Sequence, residues 1–312
     1  MIIFYKKIVG LQKNKKLKPS TEYTKGIFYA LICYLTWGMF PLFWKQLASV
    51  DSMQVFSHRI IWSFAFIAII IFFSKRKKYL TVLKYRTTWI WLTITGLLIG
   101  TNWLVYIYAV NNGHIVDSSF GYYINPLVNV ALGMIILKEK LTQLQVIAII
   151  LALIGVIIMA VRLGEIPIIS LVLAITFALY GLFRKMAGIE SFTALFVETI
   201  VLFPLAFGWI FYCQNQGNNA FASDFSISAL LIIGGILTAI PLLWFGKATS
   251  RIPLSTIGFI QYLSPSLQLL LGVFVYKEKF NIDHIISFGF VWAALVIFTV
   301  SIIKQYKKSN NL

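Results

Sequence analysis

Two ionised side chains, Arg59 and Glu198, stand well inside long apolar stretches of this 312-residue chain. A charge in the middle of a membrane-spanning helix costs about 2.5–3.5 kcal/mol on insertion scales, so it is retained where it meets water, a partner or a ligand. Each also has a structural reading. Both lie close to a helix end, where Arg59 could snorkel to the headgroups; the shorter Glu198 side chain snorkels poorly. A second set of polar groups has helical spacing. Tyr122, Asn125, Pro126, Asn129 and Gly133 recur at intervals of three and four and share one face, as do Gln261, Ser264, Pro265, Gln268 and Gly272. Unpaired amides are costly in hydrocarbon and each proline frees a backbone carbonyl. These faces are therefore expected to line a cavity or to tie helices together. Trp37, Asn102, Tyr106 and Trp244, with Tyr34, Trp44 and Trp103, could wall a flat, partly apolar organic solute. Lys247 or Arg251 could draw an anionic one at the inner mouth. Core packing is the competing reading for each ring, and an interfacial aromatic belt accounts equally well for Trp44, Trp89 and Trp91.

The elements that must position these residues follow from composition. Hydrophobic residues make up 59% of the chain and charged residues only 12%, with a mean hydropathy of +0.84. A soluble domain of this size could not cover so much apolar surface. A bilayer core needs about 20 apolar residues per helix. Ten segments qualify: 26–44, 55–73, 89–109, 117–137, 143–161, 167–183, 191–212, 227–246, 254–276 and 285–303. They lack the alternation of barrel strands, so the expected fold is an all-α integral membrane protein with ten transmembrane helices. The segment 167–183 is short enough to be partly unwound.

The chain is also duplicated. SSFGYYINPLVNVALGMIILKEK at 118–140 recurs as IGFIQYLSPSLQLLLGVFVYKEK at 257–279, an ungapped shift of 139 residues. That shift places Tyr123 on Tyr262, Pro126 on Pro265, Gly133 on Gly272, and Arg59 on Glu198. Each half supplies five helices, so the second enters the bilayer from the opposite side and the two repeats are expected to be inverted. The inversion sets Arg59 and Glu198 near opposite membrane faces, and no direct salt bridge between them is expected.

Charge gives orientation. With a cytoplasmic N-terminus, 22 of the 27 basic residues fall on the cytoplasmic side, Arg184 and Lys185 among them. Lys45, Arg59, Arg162, Lys277 and Lys279 do not; the last two belong to the second copy of the Lys-Glu-Lys motif, which inversion turns outward. The expected organisation is a basic cytoplasmic tail at 1–24, repeats at 25–162 and 163–304, and a cytoplasmic tail at 305–312, with both termini cytoplasmic in a bacterial inner membrane. The first tail either lies on anionic lipid or is solvated. The net charge of +17 sits in short loops and tails, which excludes a nucleic-acid-binding domain. Cys33 and Cys213 lie at different depths and do not pair. His58, His114 and His284 are isolated, with no metal spacing and no phosphate loop, so no metal and no cofactor are expected. His58, beside Arg59, could take part in proton coupling.

TWGMFPLFWK at 36–45, HRIIWS at 58–63, NWLVYIYAVNNGHIVDSSFGYYINPL at 102–127 and QYLSPSLQ at 261–268 resemble the EamA-type drug/metabolite transporter superfamily. The similarity is greatest to its RarD-type branch, the chloramphenicol-sensitivity proteins, and covers about Lys25 to Lys304. The lysine-rich tail is extra, and Asp117 stands where many relatives carry Glu. The resemblance implies two inverted five-helix repeats with a substrate path between them. The reading is a transporter of a small organic metabolite or drug by alternating access, as a monomer or homodimer. Trp37, Arg59, Asn102, Tyr106, Tyr122, Asn125, Asn129, Glu198, Trp244, Gln261, Ser264 and Gln268 are its expected site residues. Two alternatives are a proton-coupled exchanger using Glu198 or His58 and a membrane-embedded enzyme on lipid-linked substrates, for which the loops carry too few acids and histidines.

Overall fold

The structure, a computed structural model, describes residues 21–111, 115–163, 168–276 and 282–310. Among these residues there is no strand, as expected of a chain whose backbone polar groups must be satisfied within each segment in lipid. The helices are α1 (Thr21–Trp44), α2 (Ser52–Phe73), α3 (Arg86–Asn111), α4 (Ile115–Ile135), α5 (Gln143–Leu163), α6 (Ile168–Ala187), α7 (Ser191–Asn215), α8 (Phe225–Thr249), α9 (Leu254–Gln261), α10 (Leu263–Leu270) and α11 (Ile282–Asn310). A short 3-10 turn, Lys45–Leu47, follows α1, a ten-residue 3-10 segment, Lys75–Lys84, follows α2, and a π turn over Leu271–Val275 closes α10. Among the described residues nine spans are long and apolar enough to cross a bilayer, α9 and α10 counting as one with the π turn. The remaining segment is α4, whose apolar part is Phe120–Ile135.

Helix starts keep the register of the duplication. α2, α3, α4 and α5 begin at Ser52, Arg86, Ile115 and Gln143, and α7, α8, α9 and α11 begin 139 residues later at Ser191, Phe225, Leu254 and Ile282. Even a cap is repeated: Asp51 accepts from the Gln54 amide to start α2, and its counterpart Glu190 accepts from Phe192 and Thr193 to start α7. Counterpart helices also pack on each other, and they run antiparallel. In α2 and α7, Phe64 meets Phe203 and Phe72 meets Phe196. Between α5 and α11, Gly155 accepts from Ser287 at 2.8 Å while Thr142, just before α5, bonds Ser301 at 2.8 Å. Between α4 and the junction of α9 with α10, the Tyr262 hydroxyl donates to the carbonyl of Tyr123, its own counterpart.

Several expectations need correction. α1 begins at Thr21, not 26, because Glu22 joins its first turn and binds both Lys25 and Arg251 at 2.8 Å. α6 is continuous for 20 residues to Ala187, taking Arg184 and Lys185 out of the expected loop. Lys185 Nζ caps carbonyls at the end of α8, Thr249 at 3.0 Å and Ile252 at 2.6 Å. The ninth span is not one helix. It tightens at Tyr262, whose amide bonds Phe259 three residues back, where Pro265 cannot donate to the Gln261 carbonyl. Glu139 of the first Lys-Glu-Lys motif is a structural acid, accepting from the Leu254 and Ser255 amides and the Ser255 hydroxyl at the start of α9. The tail residues 1–20, His114, the Lys277-Glu278-Lys279 motif and the side chains of Asp117, Arg162 and His284 lie outside the described residues.

Candidate functional site

A cavity of about 490 Å³ lies between the two halves. α1 contributes Tyr34, Trp37 and Trp44, α2 contributes Phe56 and Arg59, and α3 contributes Asn102, Trp103 and Tyr106. α4 contributes Tyr122. The second half supplies Phe177 of α6, Thr238 and Leu242 of α8, and Gln261, Ser264 and Gln268 of the broken span. At one end the cavity reaches the α1–α2 turn, where Leu47, Ala48, Val50 and Ser52 line it.

Arg59 is held in this wall by three contacts. Its Nε donates to Thr238 Oγ1 at 2.9 Å, and its guanidinium carbon lies 4.7 Å from the Trp44 ring centroid and 4.9 Å from that of Trp103. Both indole faces are within cation–π range. The position depends on close packing of α2 on α8: a Cβ on Gly235 would overlap Trp62 and lie 2.8 Å from the Ser63 amide, and Ser63 Oγ donates to the Gly235 carbonyl at 2.7 Å. Only glycine permits that approach.

The opposite end is shut by stacked rings. Trp37 meets Tyr34 and Phe177 edge-on, Phe177 packs on Phe245, and Phe245 stacks on Tyr180 at 5.7 Å and 12°. Beyond this layer Glu198 is 1% exposed. It accepts from Thr95 at 2.7 Å, Tyr180 at 3.3 Å and Arg184 at 3.4 Å. Arg184, expected in a cytoplasmic loop, is 5% exposed and is the partner that makes a buried carboxylate tolerable. Gly246 makes room for it, since a Cβ there would overlap the Arg184 guanidinium.

Eight of the twelve expected site residues line the cavity: Trp37, Arg59, Asn102, Tyr106, Tyr122, Gln261, Ser264 and Gln268. Four do not. Glu198 is walled off by the aromatic layer. Asn125 donates to the Ala174 carbonyl, and Asn129 donates to Asn125 and to Gln261, both at 3.0 Å, so these amides join α4 to α6 and α9. Trp244 packs against the large apolar cluster. It follows the cavity residue Leu242 by two positions, a rotation of about 200° around α8. The polar face of the fourth span thus divides into a cavity part at Tyr122 and a tie at Asn125 and Asn129. Of the two cations expected at the inner mouth, Lys247 lies over Tyr29 and Arg251 bonds Glu22. His58 stacks on Phe221 and is not part of the wall.

Sequence reasoning missed Thr238, Phe177 and Arg184. The spacing of Phe177, Tyr180 and Arg184, three and then four residues apart, was the available signal that one face of α6 carries all of them. No group of three or more His, Cys, Asp or Glu that could hold a metal occurs among the described residues.

The match to known proteins follows the halves of the structure. The EamA-like transporter family matches this chain twice, at residues 24–161 and 166–300. The chain belongs to the EamA-like transporter family. It is 41% identical over 294 residues to the transporter YojE of Bacillus subtilis, covering 93% of this chain and 98% of YojE. It is 39% identical over 288 residues to protein RarD of Escherichia coli, covering 92% and 97%. One solved crystal structure, at 14% identity, superimposes with a TM-score of 0.66 over 89% of this chain and 98% of its own, and shows the fold alone. The chain is therefore an EamA-family transporter of the RarD branch, a multi-pass inner-membrane protein rather than an enzyme.

Proposed function

We propose that this EamA-family chain carries a small organic solute by alternating access, along a path between two inverted five-helix repeats spanning 25–162 and 163–304. The observation that carries the reading is the cavity between the halves, which reaches the α1–α2 turn at one end and is bounded at the other by the Trp37–Phe177–Phe245–Tyr180 layer. The antiparallel packing of counterpart helices supports the inversion, because an axis along the membrane normal would set them parallel. The distribution of basic residues supports cytoplasmic termini. With that orientation the cavity faces outward and Glu198 lies toward the cytoplasm.

Trp37, Arg59, Asn102, Tyr106, Tyr122, Gln261, Ser264 and Gln268 then contact the solute. Glu198 acts at one remove, with Arg184, as a tie that holds the inner side shut. Proton exchange through Glu198 or His58 gains no support from the cavity, which neither residue lines.

The test uses single cysteines in a chain whose two buried native cysteines, Cys33 and Cys213, are replaced by alanine. Ser264→Cys and Gln268→Cys should react with a membrane-impermeant thiol reagent added outside intact cells. Thr95→Cys should react only from the inside, and only during turnover. Lack of reaction at both 264 and 268 from either side removes the central path.

A further inference from the structure

A guanidinium has five N–H donors in a planar fork, and the hydrogen bond from Arg59 Nε to Thr238 occupies one of them. The flanking Trp44 and Trp103 faces attract its charge from above and below but cannot accept its in-plane hydrogen bonds. Among the described residues no carboxylate pairs with it. The counterpart position shows the alternative: Glu198 has an opposite charge, a hydroxyl and a phenol as partners. One half of the duplication thus neutralises its charge internally, whereas the other presents its charge to a cavity.

The surroundings narrow what could complete it. Tyr106 and Tyr122 line the same cavity as Arg59, their rings 6.0 Å apart. Their hydroxyls are donors suited to an oxyanion. The other polar groups of the wall are largely committed: Asn102 donates to the Leu173 carbonyl and to Thr176, and Gln268 to the Trp37 carbonyl. The rest is ring and aliphatic surface from Trp37, Phe40, Phe56, Phe177 and Leu242.

We propose that the solute is an organic anion, with a carboxylate or comparable oxyanion bound by the fork of Arg59 between Trp44 and Trp103, and a flat apolar body against Trp37 and Phe177. The inference rests on the transport reading and adds the charge class to it. Thr238 is a positioning residue that fixes the direction of the fork.

The test is a charge series on one ring. Phenylacetate, phenylacetamide and phenethylamine are titrated into the purified full-length chain, with quenching of tryptophan emission and protection of Ser264→Cys from a thiol reagent as readouts. Phenylacetate should bind about tenfold or more tighter than its amide or the amine, the range of a charge-assisted bidentate contact. Arg59→Gln should remove that preference, so that phenylacetate binds no tighter than the amide, and Arg59→Lys should retain part of it because the charge remains without the fork. Thr238→Val, which leaves the charge in place, should reduce the preference by about threefold, and serves if Arg59→Gln does not fold. Equal or tighter binding of the amide or amine overturns the anion assignment while leaving the transport path standing, since Ser264→Cys would still be protected. Binding of none of the three, or an Arg59→Gln chain that still prefers phenylacetate, overturns it as well.

Discussion

The neighbourhoods of Arg59 and Glu198 descend from one sequence position and now do opposite things. Around Arg59 the helices stand apart, leaving a cavity walled by both halves, with the charge braced by two indoles and one hydroxyl. Around Glu198 they close, and Arg184, Thr95 and Tyr180 converge on the carboxylate. Several corresponding positions also differ between the repeats. Tyr106 and Trp103 in the open half correspond to Phe245 and Leu242, and Trp44 corresponds to Phe183. The same helix register thus accommodates a cavity beside one charge and a packed contact around the other. The ties around Glu198 and the contacts around Arg59 share no residue, and that makes the two neighbourhoods separable by mutation.

The largest effect is expected at the closed end. Arg184→Met leaves Glu198 buried without its partner and should cost about 3–5 kcal/mol of stability, read as a lower melting temperature in detergent. Combining it with Glu198→Leu should recover most of the loss, because no uncompensated charge remains. If the single variant melts like the wild type, Glu198 is not held by this pair and the contrast collapses. Next comes the packing behind Arg59. Gly235→Ala forces α8 away from Trp62 and Ser63 and should cost about 1–3 kcal/mol, with a matching loss of transport because the Thr238 contact moves with α8.

Asn129→Leu should lower stability by about 1–3 kcal/mol, since its removal deprives Asn125 and Gln261 of a buried donor. Flux per folded molecule should stay close to normal, which separates a tie from a cavity wall. The smallest effect on stability is expected from Gln268→Leu, whose hydrogen bonds are long, 3.3 Å to Trp37 and 3.4 Å to Ser264. Its melting temperature should shift by less than about 1 kcal/mol implies, yet uptake into proteoliposomes should fall because the side chain lines the path. A Gln268→Leu chain that transports normally would place the solute elsewhere in the cavity.

The apolar spans, the duplication and the unusual standing of Arg59 were legible in the chain itself. Length and hydropathy are local properties, internal identity needs no structure to be seen, and a charge inside an apolar run has no local way of being satisfied. The register of 139 residues carried through to the helix starts for the same reason. Tertiary structure alone decided which neighbour each polar face meets. Helical periodicity placed Asn125, Asn129 and Tyr122 on one face, but the packing of α6 and α9 against α4 divided that face between ties and cavity. The length of α6 was also outside the reach of composition. Arg184 reads as a loop cation until the buried Glu198 on α7 supplies the opposite charge that lets it stay in the helix. The same holds for Thr238, a single hydroxyl on an apolar helix, which becomes the acceptor for Arg59 because two glycines, Gly234 and Gly235, bring α8 against α1 and α2. Sequence fixes what each helix can offer one turn at a time, while the pairing of offers between helices depends on distances across the bundle that no local pattern encodes.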